Sequence, residues 1–211
     1  MHAALSLGIL TTVIAFPALA EAAPRRYQRD YRDESDGYSY PMRDGLFARL
    51  VLGVGGASAD DELNDSTLQG GAGLFSLDLG GAVAPRLALH GRLSVNSMFE
   101  PSETSNGDYL GDLEETSLTF SLLGLGLTYY TPSNLYFTGV LGFSRASFEF
   151  YGEEYDALNG GGFIGDIGYE WPMGHDWGIG VAGRLEVHSV RDELGTLSTA
   201  ALGVLLSLTY F

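Results

Sequence analysis

The chain has no cysteine and no lysine. The first absence excludes a disulfide framework and any thiolate metal site. The second leaves arginine as the whole basic complement: all 11 positive residues are arginines, set against 27 aspartates and glutamates. A formal net charge of −16 excludes a nucleic-acid binder, because phosphate backbones are held by basic surfaces. Long apolar runs are scarce too. After residue 20 no stretch is long and apolar enough for a spanning helix, so a mature protein that sits in a membrane must be a closed barrel. Glycine and aromatic residues are plentiful instead, 30 glycines and 12% Phe, Trp and Tyr, which suits strands joined by tight turns.

Residues 1–20 are mostly apolar and end in Ala18-Leu19-Ala20, an A-x-A cleavage pattern. They read as a secretory signal peptide, with a membrane-anchoring helix as the alternative; Pro17 and the polar residues that follow favour cleavage. Residues 21–44 change character. Arg25, Arg26, Tyr27, Asp30, Tyr31 and Arg32 have mixed charge and no apolar period. This composition predicts a disordered N-terminal arm.

From residue 45 onward eight segments alternate apolar and polar residues with period two, which places the two sets on opposite faces of a sheet. The third segment is the cleanest. Leu87, Leu89, Leu93 and Val95 share one face; His90, Arg92, Ser94 and Asn96 share the other. The first, about 46–56, sets Leu50, Leu52 and Val54 against Arg49. The second, about 70–83, sets Phe75, Leu77 and Leu79 against Ser76 and Asp78. The fourth, about 116–130, changes phase: Leu118, Phe120 and Leu122 precede Leu123, Leu125 and Leu127, which predicts a bulge at Leu122-Leu123. The fifth, about 135–150, has Leu135, Phe137, Leu141 and Phe143 on one face. In the sixth, about 161–171, Asp166 and Glu170 oppose Phe163, Ile167, Tyr169 and Trp171. In the seventh, about 177–190, Arg184, Glu186 and His188 oppose Trp177, Ile179, Val181, Leu185 and Val187. The eighth is the uncharged stretch from Leu197 to Phe211, expected to close the barrel against the first.

Short gaps at 84–86, 131–134 and 172–176 alternate with long ones at 57–69, 100–115 and 151–160, and a shorter fourth at 191–196. Tyr129, Tyr130, Tyr136, Phe137, Tyr169, Trp171, Trp177, Tyr210 and Phe211 lie beside the short gaps, where an interfacial girdle is expected. A soluble barrel hides its apolar face; here that face is nearly all Leu, Val, Phe, Ile, Tyr and Trp, whereas the polar face is sparse and mixed in charge. The reading is therefore inverted, with the apolar face toward lipid and Arg49, Asp78, His90, Arg92, Asp166, Glu170, Arg184, Glu186 and His188 in the lumen.

On this strand count, loop asymmetry, leader and lumenal charge set, residues 46–211 resemble the small eight-stranded outer-membrane proteins of the OmpA and OmpX type. The resemblance implies an all-β, eight-stranded antiparallel up-and-down transmembrane β-barrel over residues 45–211, in a Gram-negative outer membrane, with residues 21–44 as a periplasmic arm. It implies contact with outer-membrane lipid and lipopolysaccharide. It also implies handling by the barrel assembly machinery, for which Leu208, Tyr210 and Phe211 form the closure and assembly signal. Phe211 falls one position out of register with the row Leu202, Val204, Leu206, Leu208 and Tyr210.

Three sites could carry chemistry. The lumenal charges form either a packed ion-pair core or a narrow pore. His188 and Ser189, with Glu193 near, invite a catalytic triad, but adjacent strand residues point apart, and the His-x-Ser spacing of the lipid A deacylases is missing. Acidic gaps, with Asp60, Asp61, Glu62, Asp65, Glu100, Glu103, Asp108, Asp112, Glu114, Glu115, Glu153, Glu154 and Asp156, form a solvated rim without a spaced calcium motif. The expectation is a non-enzymatic barrel without cofactor or metal, serving envelope integrity or surface interaction with a cell-wall or surface ligand. A narrow porin is the alternative and a lipid-modifying enzyme a more distant one.

Overall fold

A computed structural model describes residues 45–61, 66–105, 108–113, 116–150, 153–154, 158–191 and 195–211. The expected signal peptide and arm (1–20 and 21–44) lie outside the described residues, as do Glu62, Asp65, Glu114, Glu115, Asp156 and Glu193.

The strands are β1 (Leu46–Asp61), β2 (Ser66–Ala84), β3 (Leu87–Phe99), β4 (Ser102–Ser105), β5 (Asp108–Asp112), β6 (Thr116–Tyr130), β7 (Leu135–Phe150), β8 (Glu153–Glu154), β9 (Leu158–Met173), β10 (Trp177–Arg191) and β11 (Thr196–Tyr210). Every pairing is antiparallel, and β1 bonds to both β2 and β11. That double pairing closes eight strands (β1, β2, β3, β6, β7, β9, β10 and β11) into a barrel without an edge. The closing register runs from Ala48 opposite Tyr210 to Asp61 opposite Leu197.

Tight turns at 85–86, 131–134 and 174–176 join β2–β3, β6–β7 and β9–β10 at one end. Asn134 there has φ 63°, a left-handed conformation that asparagine tolerates. The other end carries the longer connections. Much of what reads as long loop in the sequence is strand: β1 and β2 stay paired out to Asp61 opposite Ser66, and β4 pairs with both β2 and β5. These residues are polar and small, so they lack the apolar alternation by which a strand is recognised.

The wall divides into two zones. Near the tight turns the outer face is apolar: Leu50, Leu52, Val54, Leu89, Leu93, Leu125, Leu127, Leu141, Ile167, Ile179, Val204 and Leu206 are exposed, Leu125 by 72%. From Leu46 to Val54 this belt is about 27 Å along the strand, or about 20 Å along the axis at a tilt near 40°, close to the apolar band of a transmembrane barrel. Tyr129, Phe137, Trp171 and Trp177 are exposed at its margin, and the outward Tyr169–Trp171 and Trp177–Tyr210 ring pairs stand 4.9 and 5.2 Å apart.

Toward the hairpin end the pattern inverts with no change of register. Ser58, Ser97, Thr119, Ser121, Ser189 and Ser198 occupy outward positions, and Ser97 and Thr119 share a hydrogen bond of 3.0 Å. Inside, Ala57, Ala59, Ala72, Met98, Leu118, Phe120, Ala146, Val190, Leu197 and Ala201 form an apolar core. This is the arrangement of a wall that rises out of the apolar belt into the headgroup region and water.

This inversion replaces the expected bulge in β6. The strand pairs without interruption with both β3 and β7. Leu122 is 0% exposed in the lumen and Leu123 is 65% exposed outside. The apolar residues change face because the solvent outside changes from water to lipid. The girdle reading needs correction as well: Tyr130 and Tyr136 are buried in the lumen, and Phe211 packs with them there.

Candidate functional site

The lumen is filled by side chains in layers, as an eight-stranded cross-section permits. The floor, nearest the tight turns, is aromatic. Phe211 lies 5.9 Å from the Phe47 ring and 5.7 Å from that of Tyr130, and Tyr130 lies 5.8 Å from Tyr136. Over this floor Arg49 stacks on Tyr136 with its guanidinium carbon 4.2 Å from the ring centroid. Arg49 donates to Glu170 at 3.1 Å, to Thr209 at 3.0 Å and to the Tyr130 hydroxyl. Thr209 in turn donates to Glu170 at 2.7 Å. A cavity of about 10 Å³ remains beside Phe47, Tyr130 and Phe211, room for about one water.

The middle layer is ionic. Asp78 lies opposite Arg92 on the neighbouring strand, and Asp166 opposite Arg184. Arg92 donates to both Asp78 oxygens, at 2.5 and 2.7 Å, and across the lumen to Asp166 at 2.6 Å. Arg184 makes a fork to the same Asp166, at 2.7 and 3.1 Å, and reaches Ser76 at 3.0 Å and Ser94 at 3.3 Å. Each carboxylate thus faces guanidinium donors in the paired geometry that makes such bonds strong. Asp78 also stands 3.8 Å from His90 Nδ1. The other ring nitrogen of His90 bonds Thr128 at 3.0 Å, and Thr128 bonds Thr138 at 2.8 Å.

Above this, Ser144 Oγ lies 2.7 Å from His188 Nδ1, and His188 Nε2 lies 2.7 Å from Glu186 Oε1. A hydroxyl, an imidazole and a carboxylate therefore stand in line, the order of an activated nucleophile. All three are buried, and Phe120 stacks on the imidazole at 5.3 Å. The Arg184 guanidinium, 3.9 Å from Glu186, ties this line to the ionic layer. The apolar core at the hairpin end caps the stack.

All nine lumenal residues expected from the sequence thus point inward and are brought into contact: Arg49 with Glu170, Arg92 with Asp78 and Asp166, Arg184 with Asp166 and Glu186, and His188 with Glu186. His90 meets Asp78 at the longer distance given above. Ser189 points outward, away from His188, as strand geometry requires. Sequence reasoning missed Ser144, Thr128 and Thr138, and placed Tyr130 in the girdle; Ser76 it set on the polar face without a partner. Ser144 meets His188 past an intervening strand because β9 has Gly162 at that level; a Cβ there would stand 2.7 Å from His188 Nδ1. The run Gly160-Gly161-Gly162 was the available signal. Leu208 and Tyr210 face outward in the closing strand, and the Phe211 ring joins the lumenal floor. Of the acidic rim, Asp60 accepts a hydrogen bond from Thr67 at 2.8 Å. No cluster of three His, Asp or Glu with metal-holding geometry occurs among the described residues.

No family model and no curated protein matches this chain. Solved structures do. Neisserial surface protein A is 14% identical with a TM-score of 0.49, over 77% of this chain and 95% of that one. The outer membrane protein OprG from Pseudomonas aeruginosa is 14% identical with a TM-score of 0.48, over 80% and 96%. Ail, the attachment invasion locus protein of Yersinia pestis, is 12% identical with a TM-score of 0.42, over 79% and 99%. The chain is similar to small outer-membrane barrels. The eight-stranded transmembrane fold itself stands on the closed pairing and the apolar belt described above.

Proposed function

We propose that this protein is a non-conducting, non-enzymatic outer-membrane barrel whose role is envelope integrity or surface interaction through its long-hairpin end. One observation supports this above the others: the lumen is filled from floor to cap, with Arg92 and Arg184 buried completely and bonded across it. A narrow porin needs a continuous polar path, and the apolar cap of Met98, Leu118 and Phe120 interrupts one. The tight turns then face the periplasm and the hairpins face outward, the usual sense for such barrels. Planar-bilayer recording of the refolded protein, together with its heat-modifiable gel mobility, tests the reading. The expected result is a folded, heat-modifiable species without channel events. Steady unitary conductance would replace this reading with the porin.

A further inference from the structure

The described chain holds six arginines, at 49, 86, 92, 145, 184 and 191. Three are lumenal and ion-paired, and Arg86 is exposed beside a tight turn. The remaining two, Arg145 on β7 and Arg191 on β10, are exposed on the outer wall toward the hairpin end. They are not scattered. Arg145 is directly opposite Asn159 on β9, and Asn159 is directly opposite Arg191. One cross-strand row therefore reads Arg145, Asn159, Arg191, Thr196, with the two arginine Cα atoms about 10 Å apart at ordinary strand spacing. Among the described residues neither guanidinium takes part in an ion pair or a side-chain hydrogen bond.

The next row toward the membrane reads Phe143, Gly161, Ser189, Ser198, Asp60, and the one below it Leu141, Phe163, Val187, Ala200, Ser58. The small residues leave a groove of about 380 Å³ on the outer wall, lined by Gly161, Ser189, Ser198 and Ala200 with Phe163 and Val187, and by Asp60 at its far end. Phe143, beside it, is 84% exposed, the highest value among the large apolar side chains. The arginine row thus sits at the upper margin of the apolar belt. Arginine costs roughly 2–4 kcal/mol at the bilayer midplane and little near the interface, so this height suits it.

We propose that this row and groove form a seat for a phosphorylated acyl lipid of the surrounding leaflet. The inference rests on the outer-membrane reading and names a ligand for it. Arg145 and Arg191 clamp one lipid phosphate between two guanidinium forks, which match a phosphate's oxygens in geometry and charge. An acyl chain lies along Phe143 and the belt below. The small-residue groove takes the sugar or glycerol, with the Ser189 and Ser198 hydroxyls in reach of its polar groups. Charge decides the occupant and its orientation: the two arginines hold an anion at one end of the groove, two strands away from Asp60, which accepts from Thr67 at the other, and their position at the margin of the belt puts that anion at the lipid boundary.

The test uses the full-length protein in micelles and native mass spectrometry with lipid A as the probe, against dephosphorylated lipid A and inorganic phosphate. Arg145→Gln with Arg191→Gln should weaken lipid A binding at least about tenfold, since two charge-assisted contacts are lost and each is worth about that much. Arg86→Gln should leave it unchanged, and the double lysine variant should fall between, because lysine keeps charge but loses the fork. Equal binding of dephosphorylated lipid, binding by the glutamine variant within about twofold of the original, or displacement of lipid by equimolar inorganic phosphate would each overturn the seat. Heat-modifiable mobility shows that each variant is folded. A protein that stays soluble without detergent and enters no bilayer would instead overturn the outer-membrane reading itself.

Discussion

Arg92 on β3 and Asp166 on β9 meet at 2.6 Å although β6 and β7 separate their strands. Backbone pairing joins each wall strand only to its neighbours. This contact spans the barrel, and Arg184 shares the same carboxylate. The cross-section is thereby held from within as well as around its circumference. Asp166→Asn should lower stability by about 3–5 kcal/mol, since it leaves two buried guanidinium groups short of their countercharge. Urea unfolding in micelles, followed by Trp171 and Trp177 fluorescence, measures the loss. A change under about 1 kcal/mol would mean that the wall alone sets stability.

Replacing Arg92 and Arg184 together by alanine should destabilise the barrel without opening it. The floor of Phe47, Tyr130, Tyr136 and Phe211 and the cap of Met98, Leu118 and Phe120 remain on either side of the emptied layer. Bilayer recordings of the folded double variant should stay silent. Channel events would identify the ionic layer as the sole barrier.

Asn96 is buried in the lumen, and neither its amide nitrogen nor its oxygen has a hydrogen-bond partner among the described residues. It lies between Leu74 and Phe120 in the pairing register. Asn96→Leu should therefore raise stability by about 1–3 kcal/mol, the cost of burying an unsatisfied polar group. Unchanged or lower stability in the same urea titration would mean that the amide is satisfied in the folded barrel.

Period-two alternation made the wall legible. His90, Arg92, Ser94 and Asn96 fell on one face in sequence and lie in the lumen in space. Two kinds of information were not legible. Alternation says that Leu122 and Leu123 part company but not which solvent each meets, so a phase change in β6 read as a bulge. Contacts across the lumen join strands that are not neighbours in the sheet. Ser144 and His188 meet only because β9 offers Gly162 between them. Tyr130 and Tyr136, close to turns, looked interfacial because sequence position fixes height along the barrel and leaves the face open. Arg145 and Arg191 are 46 residues apart, and only the strand register brings them into one row.

Gly142 on β7 directly faces Gly124 on β6. A Cβ on Gly142 would stand 2.4 Å from the Leu123 carbonyl oxygen, which is backbone and has no rotamer to change. Gly142→Val should abolish or sharply reduce folding yield. Gly139→Val, on the same strand with nothing within 4 Å of its Cβ position, should fold normally. Gel mobility before and after heating separates the two. Equal yields would show that β7 shifts to accommodate the side chain.

Thr119 and Leu125 lie six residues apart on the outward face of β6, one in each zone of the wall. If water surrounds the hairpin end and lipid the rest, a lysine at each position meets a different solvent. Leu125→Lys should lower stability by about 2–4 kcal/mol, because an ammonium in the belt must be taken from water. Thr119→Lys should cost less than about 1 kcal/mol, being solvated in both the folded and unfolded chains. Urea titration in phospholipid vesicles makes the comparison, since micelles hide differences in depth. Equal losses at the two positions would put lipid around Thr119 as well. The inversion at Leu122-Leu123 would then need a cause other than the membrane boundary.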